Sequence, residues 1–529
     1  MAKMPSNRLI KKASSRTGTK EPGQADCSGA GLNRTATGDI GPPTVAIRTH
    51  GCKLNQSDSD TIARSFTQAG YRMVDWADGA DVMVLNTCTI TATADAKARQ
   101  ALRGARRNSV GLTSNKSPLV VATGCYAQRA ADQLAKVEGI SLVVGNTGKD
   151  GLVETVTAAL DQSQKQRLSR VFSTADSSTA DSSAADSSTA AGTIVGEIPG
   201  NDRAPLNLET LNGSIPGRTR AMMKIQEGCD QVCAYCIVPK VRGRERSIHP
   251  DLLLEQIKQR IDQGCQEVVL TGTQLGTYGF DLGNTGFVGN NPNHNTLGKL
   301  LQRILKETSL TRLRVSSLQP QEINPDLLDL WSDPRLCPHF HLPLQSGCDD
   351  ILKSMRRRYD TRLFAAKVDL IRNILPDAGI TTDLIVGFPG EGDLSYRISR
   401  DFAYSMDFSD IHVFPYSPRP GTSAFLLKNR VADNDRKQRV GEMGDIGAEG
   451  VRRFRLSQLG SRRPVLWESR LPAKTYSETR KAPAGVWSGL TDNYIRVHAE
   501  SAADLGNTVT EATLSNLVIA GGSVAVTIE

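Results

Sequence analysis

EGCDQVCAYCIVPKVRGRERS, Glu227–Ser247, sets three cysteines within eight residues: Cys229, Cys233 and Cys236, spaced C-x3-C-x2-C. A disulfide uses two thiols, and a structural zinc site takes four ligands. C-x2-C is half of a zinc-finger pattern, but no partner C-x2-C or H-x3-H follows, and a helical stretch separates Cys265 from the motif. A [4Fe–4S] cluster takes four thiolates, one per iron. Held by three, it leaves one iron open to a substrate or cofactor.

The apolar MMKIQ, Met222–Gln226, precedes the motif and reads as a strand, so the cysteines stand in the loop at its carboxyl end. Later strands are EVVLTG (267–272), RLRVSS (312–317), HFHLPL (339–344), TTDLIVGF (381–388) and DIHVFPY (410–416). Helical patterns such as HPDLLLEQIKQRIDQG separate most of them, and a charged helix from Asp433 to Gln458 ends the series. Six strands predict an incomplete βα barrel, short of the closed eightfold form, over residues 217–459. GFDLGNTGFVGNNPNHN (279–295) reads as an enlarged loop.

Residues 43–160 alternate strand and helix: TVAIRTHGC, DVMVLNTC, LVVATGC and LVVGN are the strands. This alternation predicts an open parallel α/β sheet. The first three strands end in Cys52, Cys88 and Cys125. The carboxyl ends of parallel strands share one edge, so three cysteines far apart in sequence meet at one crevice. Cysteine is often a small buried core residue, but three at one topological position favour a ligand set. His50 is read as lining that site.

Residues 1–42 are polar and read as a disordered tail. Residues 161–216 read as a linker; its STADSSTADSSAADSSTAAG (173–192) repeats every five residues without an apolar face. Residues 460–529 hold short alternating segments between turns, a small all-β barrel pattern. The fold class is therefore α/β with an all-β end, and 529 residues fit about three domains. The net charge of +8 permits a polyanionic partner. The start lacks an apolar leader, and no run approaches the ~20 apolar residues of a membrane span. A cytoplasmic protein without membrane contact is expected, in which the ten cysteines are ligands or thiols before disulfides.

C-x3-C-x2-C with Tyr235 before the third cysteine, at a βα-barrel mouth, resembles the radical S-adenosylmethionine (SAM) enzymes. THGCKLNQSDSD, VLNTCTITATAD, VATGCYAQ, VVLTGTQLGTYG, HLPLQSGCDDILKSMRRRY and DLIVGFPGE look like the methylthiotransferase subgroup. The β-rich tail, with TDNYIRVHAE, is similar to a TRAM RNA-binding barrel. The resemblance covers about residues 44–160 and 218–528. It implies two [4Fe–4S] clusters: an auxiliary one on Cys52, Cys88 and Cys125, and a radical-generating one on Cys229, Cys233 and Cys236. It also implies SAM used twice, to methylate a sulfur at the auxiliary cluster and to make a 5′-deoxyadenosyl radical.

CKLNQSDSD and the second arginine of RGRERS resemble the branch that acts on N6-threonylcarbamoyladenosine beside the tRNA anticodon. The alternatives are isopentenyladenosine in tRNA, a ribosomal protein, or, in a different class, a non-catalytic RNA-binding metalloprotein with structural zinc. A monomer that takes electrons from a flavodoxin or ferredoxin is expected. Tyr235, Thr271, Gly272, Gly387, Gly390 and Glu391 are candidate SAM-pocket residues. Arg242, Arg244 and Arg246, beside the radical triad, are candidate phosphate contacts. Tyr494 and Arg496, which alternate with His498 on a strand face, are candidates for RNA stacking and charge. Arg356, Arg357 and Arg358 read as a helix-terminal charge cluster. Cys27, Cys265, Cys337 and Cys348 read as plain thiols.

Overall fold

The computed structural model describes residues 41–108, 117–173, 192–195, 219–283, 296–471, 485–518 and 523–528. The tail with Cys27, most of the TADSS repeat and the loop 284–295 lie outside the described residues. No described helix is long and apolar enough to cross a membrane.

The N-terminal part is one parallel sheet. Its strands are β1 (Thr44–Thr49), β2 (Arg72–Met73), β3 (Val82–Thr87), β4 (Leu119–Gly124), β5 (Leu142–Val144) and β6 (Gly192–Ile194), in the order β2-β1-β3-β4-β5-β6. The central strands are continuous apolar runs because both faces are covered. Met83, Leu85, Val120 and Ala122 pack on one side and Val82, Val84 and Val121 on the other, all fully buried. Burying each such large side chain contributes about 1.5–3 kcal/mol. The order places β1, β3 and β4 side by side, and a cysteine follows each of these three within three residues.

Three features depart from the sequence expectations. The linker stretch is not wholly outside the fold, because Gly192–Ile194 pairs in parallel with β5. The last helix of this part, α5, runs Leu152–Ser173 and so enters the stretch read as linker. The alternation predicts one helix after the third strand, over Gln128–Lys136; the structure has two, α3 (Cys125–Arg129) and α4 (Ala131–Ala135), because Ala130 leaves helical geometry at φ −146°. The remaining helices before the barrel are α1 (Lys53–Gln68) and α2 (Ala92–Asn108).

The central part has the six predicted strands: β7 (Arg220–Lys224), β10 (Glu267–Thr271), β11 (Arg312–Val315), β12 (His339–His341), β13 (Gly379–Val386) and β14 (Asp410–Pro415). They form two parallel three-stranded sheets, bridged at Leu313↔Leu336 and Ser317↔His341 into an open barrel. Leu253, Ile257, Leu300 and Ile304 of the covering helices pack on Val268, Leu270 and Leu313 of the strands. A two-residue ladder, β8 (Gln226–Glu227) with β9 (Arg246–Ser247), closes the cysteine loop at its base.

The C-terminal part is a closed barrel of β15 (Arg462–Arg470), β16 (Gly485–Thr491), β17 (Arg496–Ser501), β18 (Val509–Val518) and β19 (Ser523–Ile528), in the order β15-β16-β17-β19-β18. Arg312 donates to the carbonyls of Leu490 and Thr491, and Arg314 to that of Asp492. Both arginines also bind the buried carboxylate of Glu267, so charge-assisted bonds dock this barrel on the central one.

Candidate metal centres

Cys52 caps α1, Cys88 follows β3 and Cys125 opens α3, so the three stand at neighbouring strand ends. Gly124 holds Cys125 against the sheet. Its φ of +97° suits glycine, and a Cβ there would lie 2.5 Å from the Thr87 carbonyl. Burial pushes the Cys88 thiol up to about 12, and the charges of Cys125 and Cys52 push the same way. Three soft sulfur donors gathered at one edge suit an iron–sulfur group.

The second triad is built the same way on a loop. Gly228, at φ +76°, lets the chain pass Arg244, whose carbonyl oxygen would lie 1.9 Å from any Cβ. Cys229 N–H donates to the Gly243 carbonyl, and Cys236 N–H to that of Cys233. Backbone N–H groups two residues on, at Gln231 and Val238, face the sulfurs of Cys229 and Cys236. Burial pushes these two thiols up to about 12 and about 11. The same N–H groups stabilise thiolates once a metal is bound.

The two triads are neighbours. Cys125 packs directly on Ile237 and Val241, which lie just after Cys236. The short helix α6 (Val238–Arg242) carries Arg242 into the seam between them. Arg242 is 3% exposed; it pairs with Glu227 and, at 3.0 Å, with Asp58, and it donates to Asn55. Asp58 also binds Lys149 at 2.7 Å and Lys224 at 2.9 Å. Burial alone would push both carboxyls up, but the surrounding cations outweigh it. They hold Asp58 well below the usual range and Glu227 at about 2. Arg242 therefore faces inward and is closed to a phosphate backbone, which corrects the expectation from sequence. Of the residues that couple the two centres, Asn55 and Asp58 lie within CKLNQSDSD, whereas Lys149 and Lys224 stand in no motif, and the sequence assigns this coupling to none of the four. Only a three-dimensional seam reveals them.

The other candidates divide. Arg244 is more than one-third exposed and forks onto Asp230, while Arg246 is partly buried, 3.9 Å from Glu227. Tyr494 lies in a turn at φ +77°, before β17, and stacks on His339 at 4.2 Å. It does not share the face of a strand with Arg496. Arg496 pairs with Glu468.

Among the pocket candidates, Thr271 is buried and its carbonyl accepts from Ile225 N–H. Gly272 lies against Gln226, whose amide oxygen accepts from Thr273 N–H and Gln274 N–H. The Glu391 carboxylate is buried and accepts from Gly387 N–H and Arg439, so it braces the glycine loop from behind. Gly390 N–H donates to Asn429. Tyr235 packs with Phe388 and Tyr416 beside that loop.

Glu322 lies on the same side, beside Gln274 and the Gln319 N–H. Burial pushes its carboxyl up to about 7 against those donors. The native state then holds a proton that the unfolded chain has released, and stability falls as pH rises from about 4.5 to about 7. Glu322→Gln is expected to flatten this fall. Denaturant midpoints at the two ends of the window measure it, and equal falls in both proteins would refute it.

An open βα barrel with a three-cysteine loop after its first strand defines the class of radical SAM proteins, and residues 223–402 match the Radical SAM superfamily. Residues 44–145 match the family described as Uncharacterized protein family UPF0004. The chain is 34% identical over 468 residues to the threonylcarbamoyladenosine tRNA methylthiotransferase MtaB of Aquifex aeolicus, covering 88% of this chain and 98% of that one. It is 30% identical to MtaB of Bacillus subtilis, over 87% of this chain and 91% of that one. A tRNA-2-methylthio-N(6)-dimethylallyladenosine synthase of Akkermansia muciniphila is 32% identical, over 88% and 95%. The chain belongs to the radical SAM methylthiotransferase family.

Proposed function

We propose that the chain methylthiolates C2 of N6-threonylcarbamoyladenosine in tRNA, beside the anticodon. The observation that carries this is the pair of three-cysteine sets brought together at Cys125, Ile237 and Val241. MtaB relatives that match nearly the whole chain support the substrate. Cys52, Cys88 and Cys125 would hold one [4Fe–4S] cluster, and Cys229, Cys233 and Cys236 the other. When bound, the clusters would supply the electron that cleaves SAM and the site where the transferred sulfur is methylated. The chain's own contribution is placement. Asn55, Asp58 and Arg242 lock the seam, Gln226 and Glu391 set the loops of the SAM pocket, and buried side chains around Tyr235 exclude water. A flavodoxin or ferredoxin would deliver the electrons.

Nucleoside analysis of tRNA from a deletion strain tests the substrate. The 2-methylthio form of threonylcarbamoyladenosine is expected to vanish, with the unmethylthiolated nucleoside accumulating. Loss of 2-methylthio-isopentenyladenosine instead would favour the second reading, which the dimethylallyladenosine relative supports.

A further inference from the structure

The chain turns sharply after the helix Asp349–Ser354, with Arg356 at φ +58°. That turn is bonded to the cysteine loop: Ala234 N–H donates to the Met355 carbonyl at 2.9 Å, and Ala424 N–H to the Ala234 carbonyl at 2.7 Å. It carries Arg357 inward, away from the charged helix end that the run of three arginines suggests. One guanidinium nitrogen, Nη1, lies 3.1 Å from the Cys233 Sγ and 3.5 Å from the Tyr235 hydroxyl. The rest of the group is held in place. Nε donates to the Tyr359 hydroxyl at 3.0 Å, Nη2 donates to the Gln319 side chain, and the cation sits 4.8 Å from the Tyr359 ring centre. Tyr359 in turn donates to the carbonyls of Pro343 and Leu344. Among the described residues the partners of Arg357 are Tyr359, Cys233, Tyr235 and Gln319, none of them a carboxylate. Its Nη1 is aimed at a cysteine sulfur.

We propose that Arg357 is a positioning residue that sets the reduction potential of the cluster held by Cys229, Cys233 and Cys236; this rests on the ligand reading above. A [4Fe–4S] core on three thiolates gains one negative charge when it accepts an electron. Hydrogen bonds to the sulfurs and nearby positive charge stabilise that reduced form and raise the potential. Arg357 supplies both through one fixed fork. The electron comes from the protein donor and passes on to SAM, so the residue changes the ease of reduction without itself reacting.

Anaerobic potentiometric titration of the reconstituted full chain, followed by electron paramagnetic resonance, tests this. Arg357→Gln is expected to make the radical cluster at least tenfold harder to reduce, about 59 mV for one electron, with the auxiliary cluster unchanged as internal control. Arg357→Lys keeps the charge and loses the fork, and is expected to fall between the two. It also serves as the test should the glutamine variant lose iron. A normal potential in whichever variant retains both clusters would overturn the proposal, even with lowered thermal stability. Wild-type protein that reconstitutes no cluster on Cys229, Cys233 and Cys236 would overturn the ligand reading and this inference together.

Discussion

Arg242→Ala is expected to lower the unfolding midpoint by roughly 10 °C and to loosen the N-terminal sheet from the barrel. The guanidinium touches Asp58 and Asn55 of α1 and Glu227 at the barrel mouth together. Breaking a buried charge network by removing one partner costs about 3–5 kcal/mol, an upper figure here because Lys224 still pairs Asp58 and Glu227. The pH dependence should change as well. Glu227, held at about 2 in the native state, contributes stability that is complete above about pH 4.5 and is lost as pH falls toward 2. Without Arg242 its carboxyl rises, so that acid loss becomes smaller and is complete at a higher pH. Thermal unfolding across pH measures both effects. An unchanged midpoint and an unchanged acid limb would show that the seam does not depend on this residue.

Cys233→Ala is expected to abolish SAM cleavage and to reduce reconstituted iron from about eight to about four atoms per chain. Cys88→Ala should lose the same amount of iron but keep SAM cleavage, and lose only methylthio transfer. The two sets are built on separate elements, strand ends of the sheet for one and a loop of the barrel for the other. Loss of one set should therefore leave the other filled. Loss of all iron from either variant, or persistent SAM cleavage by Cys233→Ala, would contradict two independent centres.

These expectations reach back unequally to the sequence. The barrel strands were legible because each is an apolar run of strand length, and helical periodicity separates most of them. Convergence of Cys52, Cys88 and Cys125 was legible from topology alone, because parallel strands share a carboxyl edge. The fate of the arginines was not. RGRERS reads as an exposed basic loop, yet Arg242 turns inward and Arg244 outward within three residues. MRRRY reads as a helix end, yet Arg357 reaches Cys233, 124 positions away. Charge runs carry no local signal of direction, since burial depends on which carboxylate or thiol another element presents.

The chain by itself determined the two three-thiol sets, the strand that precedes each cysteine and the open barrel, because these follow from local periodicity and residue type. Tertiary structure alone decided that the two sets adjoin and which cations lie between them. A buried charge is tolerated only where partners from distant segments meet it, and no stretch of sequence contains its own partners.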